Sequence, residues 1–526
     1  MTVHRARSAR PNAGDGTGAF GQGQDHASNS LVSSHGRAAP PARGILREPR
    51  EKYSWRTAFS GASLTEGTPN GECRIMEKQN IVTRRKFLEK SVGTSLVIST
   101  PYLWIPETAV ANPTEWPSID PNKPIKVGIM FSLSGIEKHG SRDPHKMALM
   151  AIEDINETGG IHGAKLSAVI KDPESKWPNY TKLAKSLNDE NVNIIWGCTF
   201  SAGRKAALPT IARGGGLLYY PTLYEGRECS RNMIATGSCP NQQVDVGVPW
   251  MVRKYGPKTY IVGSNYIFSR TMSKQAKRSL AISGGETVGD EFIKLGVTDP
   301  QAFKPIIDEI AKTKPAWILS NLVGGNIQGF LRAFNKAGLS PDEIPIMHVA
   351  MLETTLKAIG AKFSAGHYAT ATYFQNMESP ENKAFVDKFK TFALSRPEWK
   401  EDDVTLTCVG EGVYMGAMAC KEAMIEANSA HPDAIVEASR GLVFDSATGR
   451  EVKIDSDNLH TWLTPRIARV NDQGEFDVIY ESPTWVRPQV FNREIDPNRT
   501  CENGGEFYIK GKKVPGPKVT REIVPQ

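Results

Sequence analysis

Hydroxyl and aromatic side chains gather at points where a short apolar run gives way to a helical pattern. The first such segment reads GCTFSAGRK and brings Thr199 and Ser201 to the start of a predicted helix. Their hydroxyls, together with the free amide groups of a helix N-terminus, can hydrogen-bond the carbonyl oxygen of a small ligand. Ser201 is also well placed to cap that helix, and the two roles can coexist.

The second segment, LYYPTLYEG, offers rigid apolar rings with polar tips, which suit a small polar ligand. Its candidate binding residues are Tyr220, Thr222 and Glu225. A tyrosine followed by proline is also an ordinary end of a strand, and Glu225 has two candidates for an ion pair in Arg204 and Arg227. Ligand binding and local structure therefore both stay open as explanations of this segment.

Two further segments follow later apolar runs. In GSNYIFSR, Tyr266 and Phe268 are predicted to face the other segments across a cleft, although aromatic residues two positions apart also simply pack on their neighbours. In LVGGN, Val323 precedes two glycines at a strand-to-helix turn. The spacing of these glycines matches neither a P-loop nor a dinucleotide fingerprint, so it predicts no phosphate ligand.

Signatures of catalysis and of metal binding are missing from the sequence. It contains no G-x-S-x-G or H-E-x-x-H motif, and none of its 7 cysteines forms a CxxC pair. We therefore predict a protein that is not an enzyme and that needs no cofactor or metal ion. Cys229 and Cys239 are close enough in sequence for a disulfide in an oxidising compartment, and two unpaired thiols are an equal alternative.

Strands that alternate with helices must position these segments. Short apolar runs predict strands at 125–131, 165–170, 192–196, 217–220, 259–263, 316–320, 344–348 and 367–373. Amphipathic stretches between them predict helices at 147–156, 180–189, 202–212, 270–283, 303–313 and 328–337. Such alternation predicts an α/β fold of mostly parallel sheets flanked by helices, and its length exceeds one sheet, so two Rossmann-like lobes are expected. Ligands bind such sheets beyond the carboxyl ends of the strands.

The segments before residue 125 have a different character. Residues 1–75 are rich in Gly, Ser, Ala, Arg and Pro, which predicts a disordered extension. After Met76 come a charged stretch with Arg84 and Arg85, an apolar stretch, and the sequence AVA, in the order of a twin-arginine export signal. Because such a signal is read at an amino terminus, we expect Met76 to be the true start, with an added tail as the alternative.

The charge of the remaining chain argues against nucleic acid as a partner. Residues 112–526 carry 49 Lys and Arg against 48 Asp and Glu, so the formal charge of +7 resides mainly in the first segments. The predicted division of the chain is an extension at 1–75, a signal peptide at 76–111, lobe 1 at 125–243 plus 371–442, lobe 2 at 244–370 plus 443–490, and a tail at 491–526.

Several short stretches carry a resemblance to a known family. They read FSLSG, AIEDIN, YPTLYEG, PNQQ, GSNY and YFQ, and they occur in this order along the chain. From about residue 125 to 488 the chain resembles the urea and short-chain-amide branch of the type I periplasmic binding proteins. The YPTLYEG stretch in particular separates this branch from relatives that bind branched-chain amino acids.

This resemblance implies two lobes, joined by crossing strands, that close on a ligand and deliver it to the permease of an ABC importer. The implied location is the periplasm. The ligand contacts that it implies are Thr199, Ser201, Tyr220, Thr222, Tyr266, Glu225 and Val323. An amide-sensing regulator and an exported amidohydrolase are the alternative functions.

The chain also departs from the family pattern. Thr199 stands where the family pattern has a bulky aromatic residue, and Asn265 stands where the pattern has Asp. Phe268 takes the place of a tyrosine, and the stretch VGGN is closer to amide-binding members than to urea-binding ones. Urea and a larger amide therefore both stay open as ligands.

Overall fold

The computed structural model describes residues 116–399, 404–497, 499, 501, 507–509 and 512–514. The extension predicted at 1–75 and the export signal predicted at 76–111, with Arg84 and Arg85, lie outside these residues. No helix in the described part of the chain combines the length and the apolar composition that a membrane span needs.

Strands and helices alternate along the chain, and the α/β class predicted from the sequence is confirmed. The strands are β1 (Ile125–Met130), β2 (Leu166–Ile170), β3 (Ile194–Gly197), β4 (Leu217–Tyr220), β5 (Met233–Ala235), β6 (Lys258–Ser264), β7 (Glu286–Ile293), β8 (Trp317–Asn321), β9 (Ile346–His348), β10 (Tyr368–Ala371), β11 (Val443–Asp445), β12 (Glu451–Ile454), β13 (Thr461–Trp462), β14 (Arg466–Val470), β15 (Phe476–Glu481), β16 (Phe507–Ile509) and β17 (Lys512–Val514). The helices are α1 (Lys138–Glu157), α2 (Trp177–Asp189), α3 (Ser201–Arg213), α4 (Val244–Tyr255), α5 (Ile267–Ile282), α6 (Lys304–Thr313), α7 (Gly325–Lys336), α8 (Glu353–Ile359), α9 (Ala361–Ser364), α10 (Pro380–Leu394), α11 (Cys408–Ala427) and α12 (Pro432–Ser439).

The first lobe is built on a parallel sheet of five strands in the order β2-β1-β3-β4-β5. Its central strands β3 and β4 are buried along their whole length, as expected of a parallel sheet that helices cover on both faces. Helices α1 and α11 pack on one another, and α2 packs on α3. This order places the carboxyl ends of β3 and β4 side by side at one edge of the sheet.

The second lobe is built on a sheet of seven strands in the order β15-β14-β10-β9-β8-β6-β7. The five strands β6 to β10 run parallel, and β14 and β15 add an antiparallel edge. Helix α5 begins directly after β6 and packs against α4. The carboxyl ends of β6 and β8 therefore also lie next to one another.

The chain passes between the two sheets three times, at 236–243, 372–379 and 463–465. We predicted 443–490 to continue lobe 2, but the strands β11 to β13 form a sheet of their own, and His460 pairs with Ala235 of β5. The hydroxyl of Thr461 also donates to the carbonyl oxygen of Ala235 at 3.0 Å. Only β14 and β15 of the predicted range join the second sheet, because short antiparallel strands carry no sequence signal for the sheet they enter.

Helix α1 is longer than its sequence pattern indicates. The periodicity predicts a helix at 147–156, whereas α1 begins at Lys138 and contains Pro144. A proline within a helix removes one backbone donor and usually marks a helix boundary, which conceals the first turns in the sequence. These turns matter because they form part of the cleft described below.

A strap formed by residues 486–497 leaves the second sheet and runs back over the first lobe. Val490 is buried in the core of the first lobe, and the guanidinium of Arg227 pairs with the carboxylate of Asp496 at 2.7 Å. Glu494 of the strap instead pairs with Arg278 of α5 in the second lobe at 2.6 Å. The strap therefore contacts both lobes, whereas the sequence predicted a tail that starts at 491.

The disulfide of the described residues joins Cys229 to Cys501, which are 272 positions apart. The suggested pair of Cys229 with Cys239 is therefore wrong, and Cys239 is a buried free thiol. Sequence proximity made Cys239 a candidate partner, but the bond is made across the fold, where the strap brings Cys501 back to the first lobe.

Candidate functional site

A cleft of about 540 Å³ opens between the two lobes. The loops after β3 and β4 line it from the first lobe, and the loops after β6 and β8, together with α8, line it from the second. This is the edge of a parallel sheet at which ligands bind. Five of the seven predicted binding residues line the cleft: Thr199, Ser201, Thr222, Tyr266 and Val323.

The other two predicted residues, Tyr220 and Glu225, lie behind the wall of the cleft. Their side chains are 0% and 1% exposed, and neither lines the cavity. The carboxylate of Glu225 accepts a hydrogen bond from the hydroxyl of Ser201 at 2.5 Å. Glu225 therefore reaches the cleft through Ser201 and not by its own contact.

An ion pair with Arg204 holds Glu225 in its charged form. Nη2 of Arg204 donates to Oε1 of Glu225 at 2.7 Å, and both side chains are fully buried. Burial acts to raise the pKa of Glu225, but the charge of Arg204 and the hydrogen bond from Ser201 hold that pKa below its ordinary value. The ion pair with Arg204 that the sequence left open is thus present in the structure.

The tyrosines of the YPTLYEG stretch complete this buried network. The guanidinium carbon of Arg204 lies 4.9 Å from the ring centroid of Tyr220 and 4.4 Å from that of Tyr224. Both contacts are within the range of cation–π attraction. The stretch therefore places two aromatic rings, which contact one another edge-on, beside the positive charge of Arg204 and supplies Glu225 as its counter-ion.

The network decides which way the Ser201 hydroxyl points. Its proton is donated to Glu225, so the oxygen has lone pairs, and no proton, to offer in other directions. The sequence predicted that Ser201 would donate to a ligand carbonyl and cap the helix, whereas α3 has Phe200 as its N-cap residue with no side-chain cap bond. The lone pairs of the Ser201 oxygen can therefore accept a hydrogen bond from an N–H group of a ligand.

Tyr266 supplies the complementary donor from the second lobe. Its hydroxyl oxygen accepts a hydrogen bond from the backbone N–H of Ala202 at 2.9 Å, which links the two lobes at this end of the cleft. Burial raises the pKa of Tyr266 to about 12, so the hydroxyl keeps its proton at neutral pH. The Tyr266 hydroxyl also interacts with that of Ser201, so a ligand carbonyl placed next to Ser201 would have to take over this proton.

The remaining predicted residues are tied to the loops that carry them. The hydroxyls of Thr199 and Ser141 lie 2.6 Å apart, and Thr222 donates to the carbonyl oxygen of Cys198 at 3.2 Å. Cys198 itself adopts a left-handed backbone conformation with a φ of 69°, which turns the chain sharply between β3 and α3. The backbone N–H of Val323 donates to the hydroxyl of Ser264 at 3.1 Å.

A protein-family model described as "periplasmic binding protein domain" matches residues 125–497 of the chain. The chain belongs to the periplasmic binding protein family.

Relatives and solved structures agree with this assignment. The leucine-, isoleucine-, valine-, threonine- and alanine-binding protein of Pseudomonas aeruginosa is 24% identical over 306 residues, which are 57% of this chain and 78% of that protein. A solute-binding protein of an R. palustris ABC transporter, solved with 4-hydroxybenzoate, is 23% identical with a TM-score of 0.60 and covers 68% of this chain and 97% of its own. The substrate-binding protein of a branched-chain amino acid transporter from Streptococcus pneumoniae, solved with isoleucine, is 20% identical with a TM-score of 0.58 and covers 70% and 100%.

The solved structures confirm the type I fold predicted from the sequence, and the family model identifies a periplasmic binding protein. Membership of a periplasmic family implies that the chain is exported. The family binds its ligands, which fits the prediction that the chain is not an enzyme.

The sequence did not predict two parts of the cleft lining of this periplasmic binding protein. Leu352 and residues of α8 line the cleft from the second lobe, and Asp143 of α1 lines it from the first. Asp143 accepts hydrogen bonds from the backbone N–H and the hydroxyl of Thr407, and burial raises the pKa of Asp143 to about 6. Thr407 is of a residue type that commonly caps a helix, and it caps α11. No sequence pattern indicates that its side chain also bonds to Asp143, which is 264 positions away.

In the described part of the periplasmic binding protein, no group of three His, Cys, Asp or Glu side chains is arranged to hold a metal ion.

Proposed function

We propose that this protein captures a small neutral amide, urea or a short-chain aliphatic amide, and delivers it to the permease of an ABC importer. The observation that carries the proposal is the pairing of an acceptor with a donor at one point of the cleft. Ser201 offers lone pairs and Tyr266 offers a proton, and an amide presents an N–H donor next to a carbonyl acceptor. An amide group placed there satisfies both of its polar functions.

The charges directly behind Ser201 also favour a neutral group at this point of the cleft. An α-amino acid brings a carboxylate and an ammonium group, and each needs a partner when it is buried. Arg204 and Glu225 already neutralise one another behind the wall, so neither charge is left for such a ligand. Closure of the lobes over the amide would then exclude water and create the form that the permease recognises.

The route to this location is part of the same proposal. Arg84 and Arg85, followed by an apolar stretch and AVA, support export by the twin-arginine pathway. Replacing both arginines by lysine is the direct test of that pathway, read as the fraction of protein that reaches the periplasm.

The ligand class can be tested by measuring the melting temperature of the purified protein with urea, formamide, acetamide, butyramide and leucine. A ligand that binds only the folded state stabilises it by about 2.7 kcal/mol at a concentration 100 times its Kd. We expect at least one amide, and not leucine, to raise the melting temperature. Stabilisation by leucine with no response to any amide would contradict the proposal.

Replacing Tyr266 by phenylalanine is expected to weaken amide binding by about 1–3 kcal/mol, which is roughly a 5- to 150-fold rise in Kd. The variant keeps the ring and removes the proton that the ligand carbonyl needs. Isothermal titration calorimetry with the amide that stabilises the wild type measures this change.

Tyr255→Phe is the matched control for Tyr266→Phe. The hydroxyl of Tyr255 bonds to that of Tyr368 and does not line the cleft, so its loss should leave the Kd unchanged. Equal amide affinity in wild type and Tyr266→Phe would show that Tyr266 is not the donor.

A further inference from the structure

The cleft is far larger than the amide group that Ser201 and Tyr266 are proposed to bind. Its volume is about 540 Å³, whereas a single water occupies about 30 Å³ of liquid and acetamide has only four non-hydrogen atoms. Cavities of this size normally enclose drug-sized molecules. Most of the cleft therefore lies beyond the reach of a bound urea or acetamide.

Apolar atoms make up most of the surface of the cleft, and apolar side chains from both lobes contribute to it. Phe200 and Val409 contribute from the first lobe, and Phe268, Leu352, Ala358 and Ile359 contribute from the second. Burial of apolar ligand surface is the interaction that such walls provide.

Small residues on the first lobe keep the space open. Gly140 of α1 lies beside Thr199, and a Cβ atom added at Gly140 would meet only the methyl carbon of Thr199, at 3.7 Å. This is an ordinary contact distance, so the glycine is not required by close packing. Gly140, which has no side chain, and the small Thr199 both line the cleft.

From this geometry we infer that the ligand is a primary amide with an apolar substituent of several carbons, aliphatic or phenyl. The amide group lies at Ser201 and Tyr266, and the substituent extends past Gly140 and Thr199 towards Leu352 and Ile359. The inference rests on the proposed function, and it narrows the ligand class from amides in general to amides with an apolar body.

Charged side chains set the main alternative. Arg142 and Lys357 also line the cleft, one from each of the two helices α1 and α8, which contact one another. An amide with a carboxylate at its far end would interact with these two cationic side chains and not with the apolar walls. The experiment therefore includes such a ligand.

Isothermal titration calorimetry with acetamide, butyramide, hexanamide and benzamide tests the inference on the wild-type protein. Each added methylene that becomes buried should tighten binding about fourfold until the space is filled. Hexanamide should thus bind far more tightly than acetamide, and adipamic acid, of similar length with a terminal carboxylate, should bind less tightly than hexanamide.

A variant with a smaller cleft provides the second measurement. Gly140→Leu places a branched side chain in the space beside Thr199 and should lower the ratio of hexanamide affinity to acetamide affinity at least tenfold. Gly140→Ala is the matched control, because its single methyl group makes only an ordinary contact and should preserve most of the ratio. Leu352→Ala removes part of the opposite wall and should lower the same ratio several-fold if Gly140→Leu does not fold.

The outcomes separate the inference from the proposed function. Binding of acetamide with no gain for longer amides overturns the inference and leaves the proposed function standing. Tighter binding of adipamic acid than of hexanamide overturns the apolar assignment. Absence of binding by every amide overturns the proposed function itself.

Discussion

Arg204→Met is expected to lower the free energy of unfolding by about 3–5 kcal/mol. Methionine keeps a long apolar side chain beside the rings of Tyr220 and Tyr224, but it leaves the carboxylate of Glu225 buried without its counter-ion. An uncompensated charge at a site with no exposure is among the most destabilising changes that one substitution can make. Equilibrium unfolding in guanidinium chloride measures it, since urea is itself a candidate ligand.

Two further variants control for effects other than the buried charge. Lys185→Met breaks the ion pair with Asp189, whose side chains are 70% and 62% exposed, and should change stability by less than about 1 kcal/mol. The double variant Arg204→Met with Glu225→Gln removes both charges and should recover much of the loss. A single Arg204→Met variant as stable as Lys185→Met would mean that the buried pair contributes little.

The effect of Arg204→Met should also depend on pH. The folded state holds the pKa of Glu225 below its ordinary value, so the stability from this ionised carboxylate is present above the unfolded pKa. It is lost as the pH falls through the lower pKa of the folded state. The difference between wild type and variant should therefore be largest near neutral pH and should narrow in acid.

Loss of the disulfide between Cys229 and Cys501 is expected to lower the free energy of unfolding by about 2–5 kcal/mol. The bond closes a very long loop and restricts the unfolded chain, so its removal increases the entropy of the unfolded state. Cys501→Ser removes the bond, and a reductant removes it from the wild type without any substitution. Differential scanning calorimetry should show a lower melting temperature in both cases.

Reduction of the variant supplies the control for this measurement. A reductant should lower the melting temperature of the wild type and leave that of Cys501→Ser nearly unchanged, because Cys239 is a free thiol. Peptide mapping that finds Cys229 bonded to Cys239, or a wild type that does not respond to reductant, would contradict the assigned pairing.

Much of the fold could be predicted from the sequence because parallel strands and their covering helices leave a strong periodic signal. Eight of the strands from β1 to β10 are short apolar runs that were predicted within a few residues of their observed bounds. The other two, β5 and β7, were not predicted, and β7 carries several charged residues. The weak cases have a physical cause. Pro144 concealed the start of α1, and nothing in the short strands β11 to β13 indicates that they adjoin the first lobe.

The site was less predictable because its chemistry depends on tertiary partners. Local sequence placed Thr199, Ser201, Thr222, Tyr266 and Val323 at strand ends, and all five line the cleft. Local sequence does not reveal that Ser201 donates its proton to Glu225, since that contact needs two strand ends to meet. The wall formed by Leu352 and α8 was missed for the same reason.

The bond between Cys229 and Cys501 can form only late during the synthesis and export of the protein. A ribosome must add 272 further residues after Cys229 before its partner exists, and a reducing cytosol would keep both sulfurs as thiols even then. A molecule that folds before export would therefore reach the membrane with the strap in place but without the disulfide. Thiol-reactive dyes could then distinguish newly synthesised molecules from those that have arrived in the oxidising compartment.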